Sequence, residues 1–443
     1  MRIALGATLS CEALAFPWRH PVFKLWALQP HRPNAFAMDT PTPTSPALET
    51  VRSAPHAMPA ALIALFALCA GVLVANLYYA QPIIELIAPE IGLSAHSASL
   101  IVSLTQVGYA FGLFFLVPLA DLHENRRLLM LSGAAATVSL VAAGLAAHPG
   151  PFLLVSLLLG LSSVSVQILI PLAAHLAPEA MRGRIVGTIM GGLLSGILLA
   201  RPLSSLLAQY FGWRAVFMVA AAMTLATVGI MASTLPRHVP QHKASYRSLL
   251  ASLWQLFARF AVLRQRALYQ ALLFAAFSLF WTAAPMELAS HYGLSQSQIG
   301  LFALVGALGA AAAPIAGRLA DAGHTRIASF AAMILAALSF VPGMTGGAHG
   351  VYWLALTGIA LDFAVQMNMV LGQRAIYALD AASRARLNAL YMTAIFAGGA
   401  AGSAMASGLY ARLGWHGVAL TGSALAILSL TALAMAPRHR AQP

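Results

Sequence analysis

The chain has 443 residues, 60% hydrophobic and only 8% charged, about a third of the charged share usual in globular proteins. With a mean hydropathy of +0.80 it has too little charge to coat a soluble surface. This excludes a soluble enzyme or a large extracellular domain and points to a bilayer. Cys11 and Cys69 are too few for a disulfide framework or a thiolate metal cage.

Residues 1–57 read as a disordered cytoplasmic tail with Trp-, His- and Pro-bearing stretches and a Thr/Pro/Ser-rich run from Thr40 to Pro46. Residues 1–16 match a secretory signal poorly, since the apolar stretch is interrupted by Cys11 and Glu12. Met38-Asp39-Thr40 offers a second start, so residues 1–37 are read as a gene-model extension.

Apolar spans follow at 60–82, 98–119, 128–147, 152–175, 185–208 and 214–235, within a first unit of 58–235. A second unit, 267–437, holds spans at 267–289, 297–320, 328–343, 352–376, 387–410 and 416–436, and 438–443 form a tail. About 20 apolar residues cross a bilayer as a helix, and lipid offers no partner to open backbone groups. The expected fold is an all-α membrane protein of twelve transmembrane helices in two six-helix bundles. Between the bundles lies a central loop, 236–266, where Leu249, Leu253, Leu256 and Phe260 recur among basic residues from Ser245 to Arg266. That pattern predicts an amphipathic helix lying on the inner leaflet; a calmodulin-type target is the less favoured reading.

The net charge of +13 would suggest nucleic acid in a soluble protein. Its distribution says otherwise. With the N-terminus inside, 22 of the 25 Lys and Arg fall in tails and loops on the inner side. Arg214 and Arg412 fall outside, and Arg201 sits within a span. This is a positive-inside pattern, with both termini cytoplasmic and no nucleic-acid partner.

The two halves repeat at an offset near 201 residues. Gly92-Leu93-Ser94 matches Gly293-Leu294-Ser295, Leu119-Ala120-Asp121 matches Leu319-Ala320-Asp321, and Phe211-Gly212-Trp213 matches Leu413-Gly414-Trp415. Met181-Arg182-Gly183-Arg184 matches Ser383-Arg384-Ala385-Arg386, and Gln167 matches Gln366. A parallel duplication of a six-helix unit marks transporters whose site lies between the halves at the midplane.

On these residues the chain resembles the major facilitator superfamily over about 58–437. The family's Gly-x-x-x-Asp-Arg/Lys-x-Gly-x-Arg/Lys-Arg/Lys loop stands here as Val117 to Arg127, with Asp121, Arg126 and Arg127 matching. The second copy keeps Gly317 and Asp321, with Arg326 beyond. The resemblance implies a conformational latch at the inner face, formed by these residues with Arg182, Arg184, Arg384 and Arg386. Asn76 to Pro82 and Ser195 to Pro202 are similar to a bacterial drug or sugar efflux branch, which implies a multi-pass protein of the bacterial cytoplasmic membrane. Two departures stand out: Arg201-Pro202 replaces the family's Gly-Pro block, and Val164 stands where a fourth-span Arg would.

Charge within a hydrocarbon slab costs several kcal/mol, so each such residue is a candidate site. Four qualify: Glu85, Arg201, Glu287 and Asp362. Glu85 and Glu287 fall near matching outer ends, where a plain interfacial carboxylate is the competing reading. Asp362 lies deep in its span, where the charged form is disfavoured, as a proton carrier requires; satisfaction by neighbouring helices is the alternative. Arg201 suits an anionic substrate or a carboxylate partner, against a structural ion pair or snorkelling to the surface. Asn76, Tyr79, Gln81, Gln106, Gln167, Gln366 and Asn368 add hydrogen-bonding groups that could line a cavity or glue helices.

No phosphate-binding loop or metal-ligand spacing is present, so ATP-driven transport, a cofactor and a bound metal are not expected. The glycine faces at 187–196 and 398–402 predict close helix crossings. The expected function is secondary active transport of a small solute by a monomer, as proton-coupled efflux with the halves rocking about a midplane site. The alternatives are a proton- or ion-coupled importer and, in a different class, a non-transporting receptor or membrane enzyme.

Overall fold

The computed structural model describes residues 59–235, 245–344 and 350–436. The expectations for the N-terminal tail, the Met38 start and the last residues of the C-terminal tail lie outside these residues. The helices in chain order are α1 (Ala60–Ala75), α2 (Ile84–Glu90), α3 (Leu100–Phe111), α4 (Asn125–Leu145), α5 (Pro149–Ser162), α6 (Ser165–Leu176), α7 (Arg182–Phe211) and α8 (Trp213–Thr234). They continue as α9 (Tyr246–Arg259), α10 (Ala261–Ser290), α11 (Gln296–Ala303), α12 (Ala312–Asp321), α13 (Thr325–Ser339), α14 (Gly350–Tyr377) and α15 (Arg384–Met435).

Ten helical segments among the described residues are long and apolar enough to cross a membrane. The difference from twelve has two local causes. The 16 residues of α1 rise only about 24 Å, short of the roughly 30 Å of a hydrocarbon core. The chain then turns at Asn76 to Ala80, forms a 3-10 turn at Gln81–Ile83 and resumes as α2. Pro82, which has no N–H to donate, stands within that turn. At the other end of the chain, two spans run together as α15 and part only at Gly414, whose φ is +61°. Counted with these breaks, the segments are consistent with twelve.

The duplication is visible in the backbone itself. Gly212 (φ +82°) separates α7 from α8 as Gly414 separates the two parts of α15. A left-handed φ there costs a residue with a Cβ but not glycine. Of the first glycine face Gly192 and Gly196 sit at a crossing where two backbones touch, while Gly187 and Gly191 meet nothing within 4 Å; the second face sits at a crossing through Gly398 and Gly402. Gly192 meets Ala67 and Gly196 meets Gly71 where α7 crosses α1, and Gly398 and Gly402 meet Ala271 and Ala275 where α15 crosses α10.

The amphipathic segment is shorter than expected, and its apolar stripe is covered by the bundle. Helix α9 ends at Arg259, the backbone breaks at Phe260 (φ −101°, ψ 98°), and Arg264 and Arg266 belong to α10. Leu249, Leu253 and Leu256 are buried against the bundle, and Trp254 is exposed instead. An apolar stripe looks the same in sequence whether lipid or protein covers it.

A test of the crossings compares two glycines of α7. A Cβ at Gly196 would strike the Gly71 backbone, whereas one at Gly187 meets nothing within 4 Å. Gly196→Leu is expected to lower stability by about 1–3 kcal/mol, and Gly187→Leu to leave it nearly unchanged, by thermal unfolding in detergent.

Candidate functional site

Arg201 stands in α7 immediately before Pro202 and is only 4% exposed. Its Nε donates to Gln81 Oε1 at 2.9 Å. The guanidinium carbon lies 4.5 Å from the Trp281 ring centroid, 5.2 Å from Tyr78 and 5.8 Å from Phe277. Its Nη2 is buried with no hydrogen-bond partner. Snorkelling to the surface is therefore excluded for Arg201. Arg214 pairs with Glu90 and Arg374 with Asp321, and neither pair involves Arg201. A buried cation without a carboxylate in contact is costly, and aromatic faces offset this by about 2 kcal/mol or more when desolvated.

Trp281 of α10 links that cation to Asp362. Its face lies against the guanidinium, and its Nε1–H donates to Asp362 Oδ1 at 2.7 Å. Asp362 is half-buried in α14. It fits there because Gly306 and Gly309 offer no side chain: a Cβ on Gly306 would come within 2.5 Å of Asp362 Oδ2 and 3.0 Å of Trp281 Cζ2. Gly309 corresponds to Gly108 in the repeat, and Gly108 faces the backbone at Leu157 and Leu161. Gly309 likewise faces backbone, at Asp362 and Phe363, together with Asp362 Cβ, and the Asp362 carboxylate lies one turn away against Gly306.

Other candidates join the halves near this layer. Gln81 Nε2 donates to Thr282 Oγ1 at 3.4 Å, and Thr282 pairs with Ser403 at 3.2 Å. Gln106 Nε2 donates to Ser278 Oγ at 3.2 Å. Asn76 bonds Thr224, Gln167 bonds the Tyr109 hydroxyl, and Asn368 bonds Gln270, each within its own half. The side chain of Tyr79 is buried, and its carbonyl accepts from Ser204 at 2.5 Å; Gln366 is half-buried. Glu287 is buried and accepts from the Tyr410 hydroxyl at 2.8 Å, while Glu85 is half-buried. Glu287 is thus a hydrogen-bonded carboxylate rather than a plain interfacial one.

The expected latch residues take partners close by. Arg126 donates to the Ala232 carbonyl, and Arg326 to the carbonyls of Leu433 and Ala436, at 3.2 and 3.5 Å. Each arginine thereby caps the last helix of its own half. Arg374 pairs with Asp321 beside Gly317, and Arg384 bonds the Tyr377 carbonyl. Arg386 bonds Ser252 of α9 and Ser383. Asp121, Arg127, Arg182 and Arg184 are exposed.

Between the halves, hydrogen bonds among the described residues run from the Arg201 layer toward the α2–α3 and α10–α11 connections, the end remote from Pro59 and Ala436. Ser99 N donates to Ser407 Oγ at 2.9 Å, Ser103 Oγ to the Ala400 carbonyl at 2.8 Å, and Gln296 Nε2 to the Pro82 carbonyl at 2.7 Å. At the opposite end α9 supplies a link, through Tyr246 Oη to the Phe115 carbonyl at 2.9 Å. A groove of about 590 Å3 opens between α3 and α15, but Phe111, Phe114, Phe115 and alanines line it, away from the charged candidates. The charges, not this groove, define the site.

The major facilitator superfamily model matches residues 63–277 and 266–443. The chain belongs to the major facilitator superfamily. It is 41% identical over 380 residues to the uncharacterised transporter YgaY of Escherichia coli O157:H7, covering 85% of this chain and 95% of that one. It is 34% identical over 411 residues to the "Probable transporter SCO4007" of Streptomyces coelicolor, covering 91% and 95%. The nucleoside transporter NupG superposes with a TM-score of 0.69 at 14% identity, over 84% of this chain and 99% of that one, a likeness of fold. This superfamily member is therefore a multi-pass membrane transporter of the secondary type and not an enzyme. Among its described residues no three His, Cys, Asp or Glu side chains gather where a metal ion could be held.

Sequence reasoning did not single out Trp281, Tyr78 or Phe277, because aromatic residues in an apolar span look like core. A signal existed. At an offset of 202, Tyr78-Tyr79 aligns with Phe280-Trp281, so the second half carries an aromatic pair at the position of the candidate Tyr79.

Gln81 is the one hydrogen-bond acceptor described for the Arg201 guanidinium. Gln81→Leu should leave a second buried donor unpaired and cost about 1–3 kcal/mol. Gln81→Glu, which keeps an acceptor, should retain most of that stability in the same thermal unfolding experiment.

Proposed function

We propose that this transporter is proton-coupled and moves a small solute by alternating access about the Arg201–Trp281–Asp362 layer, with Asp362 as the proton carrier. The observation that carries this reading is the cation of the first half linked through one indole to a carboxylate of the second. While Asp362 is ionised, the opposite charges attract across a layer poor in water and hold the halves together. Protonation removes that attraction and lowers the barrier to rocking. Asp362 is less deeply buried as a residue than Arg201, which favours the acid as the group that exchanges with solvent when the layer opens.

We place the termini in the cytoplasm on the charge distribution, in a bacterial cytoplasmic membrane. The bonded end is then the periplasmic one, and the exposed Asp121, Arg127, Arg182 and Arg184 latch the cytoplasmic face in the alternate state. Export follows from the resemblance of the Asn76–Pro82 and Ser195–Pro202 segments to efflux proteins. Uptake is the second reading, favoured by the spare donor on Arg201. An anion that crosses together with a proton is drawn inward by an inward proton gradient.

Asp362→Asn tests the carrier role. In reconstituted vesicles with an imposed pH gradient it should abolish gradient-driven solute accumulation while leaving solute-for-solute exchange largely intact. Undiminished gradient-driven transport would eliminate Asp362 and turn attention to Glu85 and Glu287.

A further inference from the structure

Arg201 poses a question that the helix bundle alone does not answer. A guanidinium has five N–H donors in a planar fork. Here one edge meets Gln81 Oε1, the faces meet Tyr78, Phe277 and Trp281, and Nη2 remains buried without a partner. If the charge served only to hold helices together, a carboxylate in contact would be expected. The nearest acid in the layer, Asp362, is instead engaged by the Trp281 N–H.

We propose that Arg201 is the anchor for the solute, and that the solute is a small organic monoanion, a carboxylate on an apolar body. This deepens the transport reading and rests on it for the route by which the anion enters and leaves.

Each part of that chemistry follows from a named group. The open edge of the guanidinium matches a carboxylate through charge-assisted hydrogen bonds. The three rings around it favour an apolar or aromatic body, since a strongly hydrated one would lose water against Tyr78, Phe277 and Trp281. A second negative charge finds no second cation in the layer: Arg201 is the basic residue there, and Asp362 is acidic. A cationic solute would face Arg201 itself, with the Asp362 Oδ1 already taken. The anion therefore completes a site in which every strong donor is satisfied, and it replaces water around Nη2 when the layer opens.

The test uses binding to the full-length protein in detergent with no gradient, so it is independent of transport. The probes are benzoate, cyclohexanecarboxylate, benzamide and benzylammonium, read by the shift in melting temperature with ligand concentration. Both carboxylates should give saturable stabilisation, and the amide and the ammonium none. Arg201→Gln should weaken carboxylate binding at least about tenfold, and Arg201→Lys less, because one point charge remains but the fork is lost. Should Arg201→Gln fail to fold, the probe series on the unaltered protein still decides. Equal stabilisation by benzamide and benzoate, no stabilisation by either carboxylate, or full benzoate binding by folded Arg201→Gln would each overturn the proposal. A protein that ignores both carboxylates yet accumulates another solute under a pH gradient would overturn it and leave transport standing. Saturable benzoate binding without benzoate movement in vesicles would support the site and count against the transport reading.

Discussion

A guanidinium sealed within a membrane-spanning bundle is the constraint around which this structure is arranged. Removing such a charge from water costs several kcal/mol, and no carboxylate touches it. The compensation comes from both halves of the chain: Gln81 and Tyr78 from the first, Phe277 and Trp281 from the second. The break in the first span places Gln81 in a 3-10 turn. The interruption of that span and the burial of Arg201 are thus two views of one feature.

The duplicated backbone explains how such a layer can move. Matching glycine crossings tie α1 to α7 and α10 to α15, and both are backbone contacts that resist change. Each half is thereby stiff. Besides the rings that meet Arg201, the contacts between halves include hydrogen bonds through Gln106, Gln296 and the serines of α3 and α15. Such bonds can be exchanged for water at little net cost. The two halves are not equivalent where it matters, because the helix facing Gly309 carries Asp362 at the contact and the helix facing Gly108 carries Leu157 and Leu161. Duplication supplies the symmetry, and the departure from it supplies the chemistry.

Much of this was legible in the chain. Hydropathy and the sorting of arginines marked the spans, and the register of Phe211-Gly212-Trp213 with Leu413-Gly414-Trp415 revealed the repeat that the paired positive-φ glycines now display. Arg201 and Asp362 were evident as charges in apolar surroundings. What joins them was not, since an indole in a hydrophobic run carries no mark of the hydrogen bond it makes. Nor could sequence show that α9 turns Leu249, Leu253 and Leu256 to the bundle, or that Arg126 and Arg326 cap helices of their own halves. Each depends on which neighbour lies opposite, and helical periodicity fixes only which residues share a face.

The central claim is that Trp281 stabilises the Arg201 charge across the two halves, and a double-mutant cycle measures this directly. The cycle combines Arg201→Gln with Trp281→Leu, and unfolding free energies are taken for the four proteins in one detergent. The expected coupling is about 1–2 kcal/mol, since a desolvated cation over an indole face is lost only once. Effects that add to within about 0.3–0.5 kcal/mol would contradict the claim, because they would show that the charge is stable without the ring that lies against it.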